Sequence, residues 1–132
     1  MAAAQLLTSG VFDRFPRLRL ILVHGGGFLP YQTSRLVNPT RSGGYGPPLQ
    51  SPILDYVERY FYDTTLMSAH AVKLLVDLVG AEQVMLGSDY PFSVGAPPLM
   101  QAITDSGVDA TAVGAIAHGT AGRVFNMEKA VR

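Results

Sequence analysis

Two short pieces of this sequence hold residues that could do chemistry. One is His24 followed by Gly25, Gly26 and Gly27; the other is Asp89 within Gly87-Ser88-Asp89-Tyr90-Pro91. An imidazole titrates near neutral pH and can move a proton in either direction. A carboxylate is a hard donor suited to a divalent cation beside imidazole ligands. Each residue follows an apolar run, Leu18-Arg19-Leu20-Ile21-Leu22-Val23 before His24 and Val84-Met85-Leu86 before Gly87. Near-continuous apolar runs fit parallel strands covered on both faces. His24 and Asp89 then stand at the carboxyl ends of strands, the edge where α/β folds place their chemistry. Asp63 closes a third run, Tyr60-Phe61-Tyr62, and reads as a structural acid at a strand end.

The elements that must position these residues alternate. Residues 2–9 read as a helix stopped by Gly10, and 18–23 as the first strand. A helical segment is expected over 28–36, then a Pro- and Gly-rich loop over 38–50. Ser51 followed by Pro52 predicts the cap and first position of a helix over 53–58. Residues 60–63 form the second strand. Ser68 predicts the cap of a helix over 69–79, in which Val72, Leu75, Val76 and Val79 share one face and Gly80 ends the helix. The third strand is 84–88, followed by a loop over 91–98. Helical pieces over 99–105, 111–117 and 120–125 precede a frayed tail, 128–132. Alternation with crossovers of this length predicts parallel strands joined by right-handed connections.

Composition narrows the function. The 132 residues carry ten basic and ten acidic side chains and no cysteine. A net charge of zero supplies no polycation for a phosphate backbone, so nucleic acid is not an expected partner. Arg14, Arg17 and Arg19 read as a solvated loop before the first strand. No thiolate metal site is possible without cysteine. No apolar stretch approaches the roughly 20 residues of a membrane helix, and no secretory signal is apparent, so a cytoplasmic setting is the expectation.

Three strands raise a geometric problem. Neighbouring strands lie about 4.8 Å apart, so the outer two are roughly 10 Å apart. His24 and Asp89 can share a small ligand only if the sheet curves inward, as in a barrel. A closed (β/α)8 barrel takes about 250 residues. The expected fold is therefore a partial barrel of α/β class, three parallel strands with outer helices, forming one domain over 1–132. Two open sheet edges and an exposed inner face should follow.

The motifs carry a resemblance. Gly10-Val11-Phe12-Asp13-Arg14-Phe15-Pro16, Val23-His24-Gly25-Gly26-Gly27, Tyr60-Phe61-Tyr62-Asp63-Thr64 and Gly87-Ser88-Asp89-Tyr90-Pro91-Phe92 occur in this order. Together they resemble the amidohydrolase-related family of metal-dependent TIM barrels, the branch containing aminocarboxymuconate semialdehyde decarboxylase. The resemblance maps the chain onto the C-terminal half of that barrel, strands six to eight, with the N-terminal half absent. It implies that Asp89 is a metal ligand, that His24 assists proton transfer, and that Arg35 grips a substrate carboxylate. It also implies a divalent metal, zinc, and a small carboxylated or cyclic substrate. The family's other ligands, a His-x-His pair and a further histidine, have no counterpart here, since His70 and His118 do not match those positions. Relatives have Gly-Asn-Ala where this chain has Gly119-Thr120-Ala121.

The resemblance implies a metal-dependent hydrolase or decarboxylase. Three other readings stand beside it. The chain could be a non-catalytic fragment or a truncated gene product. It could form a homo-oligomer or work with a separate N-terminal half. His-Gly-Gly-Gly-Phe also occurs in lipase-like α/β-hydrolases, but those need a Gly-x-Ser-x-Gly elbow, which this sequence lacks.

Overall fold

The computed structural model describes residues 2–41, 46–92 and 99–127, with backbone alone for 38–41. Its centre is a three-stranded parallel sheet in the order β1-β2-β3, formed by β1 (Ile21–Leu22), β2 (Phe61–Asp63) and β3 (Val84–Met85). Ile21 is in register with Phe61, and Leu22 with Tyr62. Tyr62 in turn lies beside Val84, and Asp63 beside Met85. The strands run the same way, and all three carboxyl ends lie on one rim.

The strands are shorter than their apolar runs. Strand length is set by the partner, and β2 offers its neighbours only three residues. The Phe61 amide donates to the Leu20 carbonyl at 2.9 Å, and the ladder goes no further back. Leu18 is left exposed rather than paired.

Helices surround the sheet: α1 (Ala2–Thr8), α2 (Val11–Arg14), α3 (Leu29–Gln32), α4 (Ser34–Arg41), α5 (Ile53–Val57), α6 (Ala69–Val79), α7 (Leu99–Thr104), α8 (Ala110–Gly114) and α9 (Thr120–Val124). α6 follows its sequence pattern. Ser68 accepts from the Ala71 amide, Val72, Leu75 and Val79 are buried, and Gly80 returns its amide to Val76. Three boundaries move. The expected loop over 38–50 begins as helix, since α4 runs to Arg41. The cap of α5 is Pro52 rather than Ser51, whose amide instead donates to the Tyr56 hydroxyl at 3.0 Å. The two pieces expected over 111–117 and 120–125 are one continuous helix, because a π turn at Ala115–Gly119 joins α8 to α9. His118 is therefore inside a helix and exposed, not at a helix end. The expected loop over 91–98 lies mostly outside the described residues, and the tail 128–132 entirely so.

One sheet face is the core. Tyr62 and Val84 are fully buried on it. Phe12 packs edge-on against Tyr60, with ring centres 4.9 Å apart. The Arg59 guanidinium lies 4.5 Å over the Phe12 ring and donates to the carbonyls of Phe12 and Pro16. Tyr60 donates to the Ala3 carbonyl at 2.8 Å, and Tyr56 donates to Asp13. These contacts tie α1 and α2 to β2. Arg19 is not simply solvated, because its guanidinium donates to the Val124 carbonyl at the end of α9. A cation there suits the negative end of a helix.

The second face and the edges differ from the expected open sheet. On this face Ile21 is exposed, while Asp63 and Met85 are buried. Among the described residues, the face is thus open on the β1 side. The outer edge of β3 is engaged, since the Leu86 amide donates to the Ile116 carbonyl at 2.9 Å.

Candidate active site

His24 begins a turn that runs against the normal handedness of L-residues. His24, Gly25, Gly26 and Gly27 have φ of 55°, 57°, 78° and 60°. Two of the glycines are also required by space. A β-carbon on Gly25 would lie 2.5 Å from Leu66 Cδ2, and one on Gly26 would lie 2.7 Å from the Tyr62 ring. The turn must therefore press onto β2 and its following loop, and only glycine permits that. Asp89 has the same handedness, with φ of 57°, and the Tyr90–Pro91 peptide is cis.

These two turns bring together what the strands hold apart. His24 Nε2 lies 3.1 Å from Asp89 Oδ1, so the pair bridges across the end of β2. The His24 side chain is 59% exposed and that of Asp89 28%. The imidazole can thus meet a substrate while its carboxylate partner is more sheltered. A carboxylate at Nε2 favours a proton on that nitrogen and leaves Nδ1 free to accept one.

Under the pair, the end of β2 is a hydrogen-bonded platform. Asp63 Oδ1 accepts from the Gly25 amide at 3.1 Å. It also accepts from the Thr65 amide at 3.2 Å and the Thr65 hydroxyl at 2.7 Å. Thr65 Oγ1 in turn accepts from the His24 amide at 3.1 Å. Asp63 agrees with its reading as a structural acid. Thr65 was missed, and its signal was its place two residues beyond a strand-end aspartate.

Arg35 is exposed on the first turn of α4. No hydrogen bond or ion pair joins it to His24 or Asp89. His70, at the start of α6, is also exposed. Among the described residues, no three His, Cys, Asp or Glu side chains converge in a way that could hold a metal. The carboxylate–imidazole pair alone falls short of the three protein ligands of a catalytic zinc site. It can contribute to a metal centre but does not make one.

The chain matches the amidohydrolase family over residues 2–127. It belongs to that family. It is 32% identical over 97 residues to 2-amino-3-carboxymuconate-6-semialdehyde decarboxylase of Dictyostelium discoideum, which covers 72% of this chain and 27% of that protein. The structure of 5-carboxyvanillate decarboxylase from Sphingomonas paucimobilis is 33% identical and superposes with a TM-score of 0.82, covering 94% of this chain and 38% of that one. A 5-carboxyvanillate decarboxylase from Novosphingobium aromaticivorans, solved with bound manganese as a D314N mutant, is 23% identical with a TM-score of 0.83 and covers 94% of this chain and 38% of that one. This amidohydrolase chain thus has the partial-barrel fold and spans about a quarter of the curated relative's length. Membership sets aside the lipase-like alternative.

Proposed function

We propose that this chain carries the carboxylate–imidazole part of a metal-dependent carboxy-lyase site acting on a small carboxylated substrate. The observation that carries the reading is the 3.1 Å contact between His24 Nε2 and Asp89 Oδ1 on the rim of the sheet. Relatives that decarboxylate aminocarboxymuconate semialdehyde and carboxyvanillate favour a lyase over a hydrolase. Asp89 offers a carboxylate oxygen to a divalent cation. The family resemblance implies zinc, and a structural neighbour was solved with manganese. The other donors come from the part of the barrel that the relatives have and this chain does not span. A cytoplasmic setting belongs to the same proposal.

The chain's own residues supply proton handling. In decarboxylation a new C–H bond forms at the carbon bearing the carboxylate. The bond to the carboxylate then breaks, carbon dioxide leaves, and the electron pair stays with the substrate. His24, exposed and oriented by Asp89, is placed to take up a proton at its free ring nitrogen and pass it to that carbon. Arg35 is proposed as the carboxylate clamp, since a guanidinium binds a carboxylate through two parallel hydrogen bonds.

The test joins this chain to the N-terminal part of a relative and supplies zinc or manganese. Release of carbon dioxide is measured with 5-carboxyvanillate and with aminocarboxymuconate semialdehyde. Asp89→Ala should lose the metal, read by elemental analysis. His24→Asn should keep it and lose turnover, and Arg35→Lys should mainly raise KM. If His24→Asn loses the metal while Asp89→Ala keeps it, the two roles are reversed.

A further inference from the structure

We infer that Asp63, with Thr65, is the positioning device of this rim: it fixes the turn that presents His24 and sets the register of that turn against the strand that carries Asp89. The inference deepens the reading above, in which His24 moves the proton, but its geometry holds without any metal or substrate.

Asp63 ends the central strand and is 9% exposed. Its hydrogen bonds go to Gly25 and Thr65, not to the His24 ring or the Asp89 carboxylate. It acts on backbone instead. Its Oδ1 receives the Gly25 amide directly, and it holds the Thr65 hydroxyl that receives the His24 amide. The first two amides of a left-handed turn are therefore anchored to one buried carboxylate. Hydrogen bonds from N–H groups to a charged acceptor are among the stronger ones in proteins.

The same strand end reaches the other arm. The Gly87 amide donates to Thr64 Oγ1 at 3.2 Å. A β-carbon on Gly87 would lie 2.8 Å from Asp63 Cβ and 3.0 Å from its Oδ2. Gly87 therefore sits directly against Asp63, two residues before Asp89. Asp63 and its two following threonines thus hold one arm through His24 and Gly25 and the other through Gly87. The pair at 3.1 Å is set by this central clamp.

All three hydrogen bonds to Asp63 fall on one oxygen, Oδ1. An asparagine whose carbonyl takes that place keeps them, and an alanine keeps none. This separates positioning from any need for the charge.

Amide hydrogen exchange, followed by mass spectrometry at single-residue resolution on the 132-residue chain, reads the clamp directly. Asp63→Ala should speed exchange at His24 and Gly25 by about tenfold or more, while the amides of α6 keep their wild-type rates. Asp63→Asn should restore slow exchange at both positions. Thr65→Val should speed exchange at His24 and leave Gly25 protected. If Asp63→Ala unfolds the chain as a whole, Thr65→Val decides. The inference is overturned if Gly25 stays protected in a folded Asp63→Ala, if Asp63→Asn exchanges like the alanine variant, or if Thr65→Val leaves His24 unchanged. None of these readouts involves turnover, so a failure of the lyase reading would leave them standing, and the converse also holds.

Discussion

At the scale of single residues, the site depends on backbone that only glycine tolerates. Gly26 has φ of 78° and faces the Tyr62 ring, which a β-carbon would approach to 2.7 Å. Gly26→Ala should therefore destabilise the chain by about 1–3 kcal/mol, from strain and overpacking together. Urea unfolding checks this, and an unchanged midpoint would show that the turn relaxes around the methyl group. The placement of His24 and Asp89 beyond strand ends was legible. A histidine before three glycines and an aspartate before Tyr-Pro, each after an apolar run, mark strand-end positions by local pattern alone. Their 3.1 Å contact was not legible, because it arises from two left-handed turns that bend toward each other over β2. The role of Asp63 was equally hidden. Its partner amide belongs to Gly25, on a different strand end, and no local periodicity records that pairing.

At the scale of elements, patterns repeated along one helix were read well, and lengths set by neighbours were not. The buried face of α6 follows from residues spaced three and four apart, and Ser68 caps it as its type predicts. β1 spans two residues rather than the expected six, because its length is decided by what β2 can pair. The π turn joining α8 to α9 has no compositional mark, and the sequence reads there as two separate helical pieces. β2 also sets how the fold responds to alkali. Burial pushes the Tyr60 hydroxyl up to about 12 from its ordinary 10.0. Tyr62 is raised further, by burial and by the neighbouring phenols. A raised folded value means that this contribution to stability is complete below pH 10, where both states are protonated. It is lost as pH rises from about 10 toward 12, where the unfolded chain ionises first. Urea midpoints should hold steady to about pH 9 and then fall. Tyr60→Phe should flatten that fall; an equal slope in the variant would remove Tyr60 from the account.

At the scale of the whole molecule, the chain is a section of a barrel in which, among the described residues, one sheet edge is engaged and the other is open. The β3 edge is met by Ile116, whereas β1 carries exposed Ile21 and continues into exposed Val23. Phe28, Tyr90 and Phe92 are also exposed along the loops that leave the strand ends. An uncovered strand edge flanked by apolar side chains is a template for pairing with another chain. The isolated chain should therefore self-associate, and light scattering should give a mass above that of one 14.1 kDa chain. A stable, monodisperse monomer would show that the β1 edge is protected. The same openness bears on activity. Among the described residues, Asp89 and His24 are the only chemistry-bearing side chains that meet on the rim, and no third metal donor joins them. A cation held by one carboxylate is neither tightly bound nor fixed in distance from a substrate, and catalysis depends on that fixed distance. The chain alone should therefore bind zinc weakly and release no carbon dioxide from 5-carboxyvanillate. Tight binding of one zinc per chain, together with turnover by the unaccompanied chain, would show that its own residues complete the site.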